Sequence, residues 1–126
     1  MNHVFYSYGD AKKITWIISD EKEAFIENRE HVDMYKDKMT DLQSKYVALH
    51  VGLFWGIGTF VIKNGDSVKI KIDEKTMFEQ FTTNSEIEDP FIQKRMRFIR
   101  QLVDQRRLKV EFEVISQDEN IARNSI

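Results

Sequence analysis

Asp73 closes a run, Ser67-Val68-Lys69-Ile70-Lys71-Ile72, in which apolar and polar residues alternate. That period places it at the end of a strand, on the lysine side. A carboxylate there, beside a central helix, is suited to acid–base work or to holding a hard cation. A second group with chemistry is basic. From residue 94 to 109 the one acid is Asp104, against Lys94, Arg95, Arg97, Arg100, Arg106, Arg107 and Lys109. Such a helix can track a nucleic-acid backbone, or be a solvated face paired to the acidic stretch 20–41. His3, His31 and His50 have no spacing that suggests a shared ligand set, and His50 falls on an apolar helix face as a satisfied core histidine. Gly52, Gly56 and Gly58 imitate a phosphate loop, but they sit late in a helical pattern, where such a loop would open one. They read as packing glycines. There is no cysteine, hence no disulfide and no thiolate metal site.

These groups need elements to position them. Leu42, Tyr46, Leu49, His50, Leu53, Ile57, Phe60 and Val61 share one helical face over residues 40–63. Val47, Val51, Trp55 and Ile62 form a second stripe. A helix apolar on two sides must be covered on two sides, so it is expected between a sheet and another helix. Asn64-Gly65 signals a turn. Residues 3–8 and 13–19 read as a hairpin. Residues 24–32 suit either a helix or a third strand. A short helix over 74–81 and a polar linker over 82–88 follow the Asp73 strand. Asp89-Pro90 opens a helix to about residue 106. Its apolar arc includes Arg95 and Arg106, which must snorkel or reach a negative group. Val110, Phe112 and Val114 mark a last strand. The order demands crossovers, hence a mixed sheet with helices on its faces.

The chain has 126 residues and a net charge of −2. This fits one α/β domain spanning 1–126 and does not announce a nucleic-acid binder by charge alone. The apolar run 46–62 is short for a membrane span. No signal-peptide pattern opens the chain, and a cytoplasmic protein is expected.

Four stretches resemble the ribonuclease H family within the ribonuclease H-like superfamily. Residues 40–52, with Thr40, Tyr46-Val47-Ala48-Leu49 and Gly52, resemble its central helix. Residues 68–81 resemble its strand ending in Asp, with the short helix after it. Asp89-Pro90-Phe91 resembles the opening of its next long helix. Residues 109–122 resemble its last strand and the loop carrying Glu-Asn and Ala. The resemblance implies a five-stranded mixed sheet flanked by helices, with the final helix short or missing, and favours the strand at 24–32. Family enzymes hold two Mg²⁺ ions between four carboxylates, and those ions activate water and steady the leaving oxygen. The matching positions here are Ser7, Lys45, Asp73 and Arg123, so one acid of four is kept. No metal site is expected, Asp73 being the single weak candidate. Asp41, Asp10 and Glu79 are not obvious replacements. Lys45, and with it Arg123, are expected to pair with Asp73 in place of the ions.

The resemblance implies a catalytically degenerate domain that binds RNA or an RNA/DNA hybrid through residues 94–107 without a cofactor. The alternative is a structural scaffold, a homodimer formed through the second stripe if that stripe is uncovered. The least supported reading is an active Mg²⁺-dependent hybrid endonuclease.

Overall fold

The computed structural model describes residues 1–83 and 85–125. Position 84 of the expected linker and residue 126 lie outside them. The elements are β1 (Asn2–Gly9), β2 (Lys13–Ser19), β3 (Ala24–Glu30), α1 (Asp41–Gly58), β4 (Ser67–Ile72), α2 (Lys75–Thr82), α3 (Pro90–Gln105), β5 (Lys109–Val114) and α4 (Ile121–Asn124). The sheet order is β3-β2-β1-β4-β5. The first three strands are antiparallel, while β1–β4 and β4–β5 are parallel. The parallel pairs follow from the helical crossovers. Residues 24–30 are a strand, not the helical alternative.

Register fixes the two faces. Phe5 pairs with Ile18 and Ile70, and Ser7 with Trp16. These side chains, with Phe112, form the face under α1 and α2. Gly52 and Gly56 allow α1 to lie flat on it. A Cβ on Gly52 would stand 2.7 Å from Phe5 and 2.8 Å from Trp16, and one on Gly56 2.8 Å from Ile18. The packing role expected of the glycines holds for Gly52 and Gly56, whereas Gly58 is exposed and a Cβ there would meet nothing within 4 Å. Phe81 of α2 stacks on both Phe112 and Tyr46, and α3 packs along α1. α1 thus has the sheet on one side and a helix on another.

Local signals set the helix starts. Thr40 and Gln43 form a reciprocal capping box on α1, and Gln43 also donates to Asp89, the N-cap of α3. Two expectations fail near the end of α1. The helix stops at Gly58 rather than Lys63, and Phe60 takes φ 63. That left-handed residue turns its ring outward, 77% exposed, off the apolar face it was expected to join. The reversal lets the Ile62 N–H donate to the Gly56 carbonyl and returns Ile62 to the core. The second stripe is largely covered, with Val51 and Trp55 half-buried, and gives the homodimer no support. Val47 and Ile62 are buried, and Trp55 packs on Trp16 of β2 and Phe25 of β3. Among the described residues, no helix is long and apolar enough to cross a membrane.

Candidate functional site

The cleft lies where β1 and β4 end beside the start of α1. Parallel pairing of β1 and β4 brings Asp73, one residue past β4, level with the end of β1. α1 crosses above and presents Lys45 from its second turn. The Lys45 ammonium stands 3.3 Å from the Asp73 carboxylate and 3.6 Å from that of Glu74. The Lys45 side chain is 10% exposed and that of Asp73 3%. A buried carboxylate with no counter-charge is costly, and here an amino group is its partner.

Asn120 completes the setting. It is fully buried, and its amide NH₂ donates to the Asp73 carboxylate at 3.0 Å and to the Ser7 carbonyl at 2.9 Å. Its carbonyl accepts from the Ala122 N–H, capping α4. One side chain therefore ties β1, β4 and α4 together. Glu74 was not singled out from sequence, though its position next to Asp73 was a usable signal. Asn120 was seen within a matching motif, but its three contacts were not foreseeable.

The expected pairing of Arg123 with Asp73 is absent among the described residues. Its guanidinium lies 5.9 Å from the Tyr8 ring. Tyr8 points to the sheet face opposite Ser7, since neighbours on a strand alternate, so α4 carries Arg123 to that other side. Ser7 enters the cleft through its backbone carbonyl.

Asp10 and His31, near the same end of the sheet, have structural partners. Asp10 accepts from the Lys12 and Lys13 N–H groups and from the Tyr8 hydroxyl. Burial pushes its carboxyl up, but those donors outweigh it and hold it below its ordinary value. His31 Nε2 lies 2.7 Å from the Ser44 hydroxyl and 2.9 Å from the Asp10 carbonyl, fastening the β1–β2 turn to α1. Among the described residues no group of three or more histidine or carboxylate side chains is placed to hold a metal ion.

The basic helix divides in two. Arg95 donates to His50 Nδ1 and to the Tyr35 hydroxyl, and lies over the Tyr35 and Phe91 rings. Of the two outcomes expected, snorkelling or a negative partner, it takes neither fully: it stays partly buried and reaches neutral acceptors. Burial, then the Arg95 charge, pushes His50 down to about 4. Arg100 donates to the Phe81 carbonyl and covers its ring. Lys94, Arg97, Arg106 and Arg107 are exposed, as is Arg100 despite its contact; Arg106 thus faces water. Among the described residues no ion pair joins α3 to residues 20–41.

No protein-family model matches the chain, and no curated protein matches it in sequence. Solved structures do match it. The N-terminal ribonuclease H domain of a Mycobacterium tuberculosis protein, fused to maltose-binding protein, has a TM-score of 0.79 at 13% identity, covering 99% of this chain and 95% of that one. Ribonuclease H1 from the halophilic archaeon Halobacterium salinarum gives 0.69 at 12%, covering 98% and 91%. A ribonuclease H1 isolated from compost by a metagenomic approach, solved in complex with an RNA/DNA hybrid, gives 0.76 at 16%, covering 98% and 91%. The chain has the ribonuclease H-like fold.

Proposed function

We propose that this domain binds RNA or an RNA/DNA hybrid and does not cleave it. The observation that carries the reading is the Lys45 ammonium, 3.3 Å from Asp73 and 3.6 Å from Glu74. The family resemblance puts divalent ions at this point of the fold. The donor set here does not fit them: Ser7 and Arg123 replace two carboxylates, and Asp73 already has a fixed cation. A second cation would meet that ammonium at close range, where repulsion is severe. Without paired ions there is no evident source of an activated water for phosphodiester hydrolysis.

The cleft is also a poor phosphate site. Asp73 and Glu74 bring two negative charges against one positive charge on Lys45, leaving −1. Phosphate contacts fall instead to the outward cations of α3 and its end, Lys94, Arg97, Arg106 and Arg107. The compost ribonuclease H1 supports the ligand class, since it was solved with an RNA/DNA hybrid. Intracellular, cytoplasmic work belongs to the same reading.

The test is a labelled RNA/DNA hybrid with the pure chain. Binding that weakens steeply with salt, is unchanged by chelator, and leaves the hybrid intact in Mg²⁺ or Mn²⁺ is the expected outcome. Turnover of the hybrid, or no binding at low salt, overturns the proposal.

A further inference from the structure

Between the β3–α1 connection and α3 lies a pocket of about 220 Å³, lined by Tyr35, Phe91, Lys94, Arg95 and Phe98. It takes no part in the cleft around Asp73. Its lining is aromatic and cationic, with no carboxylate. Arg95 is fixed by His50 and Tyr35, and its guanidinium lies 5.1 Å from the Phe91 ring centre and 5.6 Å from that of Tyr35. Phe98 stacks on His50 at 5.6 Å with 20° between the planes, yet remains 37% exposed. Lys94 Nζ stands 5.9 Å from the same ring. One helical turn beyond His50, Phe54 is 63% exposed.

An aromatic left in water costs free energy unless something covers it. The charge of the surroundings says what that cover is. Every charged side chain lining the pocket is positive, so the occupant is anionic. It also carries flat apolar surface, because rings and a guanidinium plane are what the pocket offers. Aromatic faces interleaved with cations are how proteins hold unpaired nucleotides, bases stacking while phosphates meet Lys or Arg. We propose that this pocket seats an unstacked base of single-stranded nucleic acid on Phe98, with Lys94 facing its backbone and Arg95, held by His50 and Tyr35, forming the pocket wall. The site extends the nucleic-acid reading above and rests on it for ligand class; it shares Lys94 with the α3 surface named there, but it adds the Phe98 ring and needs a free base. A hybrid duplex keeps its bases stacked inside and offers none.

The experiment compares oligouridine of about 12 nucleotides with an abasic strand of equal length and charge, by fluorescence anisotropy at low salt. The full chain should bind oligouridine about tenfold tighter, the weight of one stacked base. Phe98→Ala should abolish that ratio and Phe98→Trp restore it, while hybrid affinity stays the same in both variants. Equal affinity of the unaltered chain for the two strands overturns the proposal, and needs no variant to fold. Displacement of oligouridine by an acidic, aromatic-poor peptide in proportion to its charge also overturns it. Hybrid affinity reads the function proposed above and the uridine-to-abasic ratio reads the pocket, so the two fail separately.

Discussion

The cleft and the α3 face use the same residue types to opposite ends. In the cleft, Lys45 is nearly buried and shared by two carboxylates. Its charge is spent inside the protein. On α3, Arg95 is engaged by neutral acceptors and rings and Arg100, though exposed, is tied to Phe81, while Lys94, Arg97, Arg106 and Arg107 stand in solvent. Their charge remains available to a ligand. A cation count along the sequence would treat Lys45 and Arg97 alike. The lesson is that a positive side chain is a binding group only after its internal partners are subtracted.

The comparison breaks most visibly at Lys45. Lys45→Met strands the Asp73 carboxylate, and urea unfolding should show a loss of about 3 kcal/mol. Asp73→Asn added to it should recover most of that, because removing both members of a buried pair spares the unpaired charge. A double variant as unstable as the single would mean that the ammonium does not neutralise Asp73.

A smaller effect concerns the half of α3 that is spent internally. His50 titrates near 4 when folded and near 6.5 when unfolded. Between those values the unfolded chain binds the extra proton, so acid favours unfolding. Stability should be flat above about pH 6.5 and fall as pH drops towards 4. His50→Asn keeps an acceptor for Arg95 without a titrating group, and its stability curve should lose that part of the slope. An unchanged slope would place the acid sensitivity elsewhere.

The smallest effect on stability belongs to the outward cations. Arg97→Gln should alter it by less than about 0.5 kcal/mol. If Arg97 meets a phosphate, the same change lowers the slope of log affinity against log salt by about 1. A slope that does not move removes Arg97 from the interface.

Much of this molecule was legible along the chain. Period two marked β4 and β5, strand-forming residues around a turn marked β1 and β2, and apolar spacing and the Asp89-Pro90 start marked α1 and α3. Each is a local rule, obeyed by residues a few positions apart. Residues 24–30 show where local rules stop: either period fitted, and pairing with β2 made them a strand. The end of α1 was misjudged for the same reason. Apolar spacing continues past Gly58, but Ile62 gains more by folding back onto Gly56 than by prolonging the helix.

Sequence alone determined that an acid would end the fourth strand, that a lysine would occupy the central helix, and that one helix would be basic. Its composition and local periodicity carry that much because they depend on near neighbours. Only the tertiary structure decided that Glu74 joins Asp73 around Lys45, that Asn120 reaches Asp73 across 47 positions, that Arg123 turns to Tyr8, and that Arg95 is used up by His50 across 45. Those outcomes depend on how parallel crossovers stack distant segments, and on which face of the sheet each segment meets.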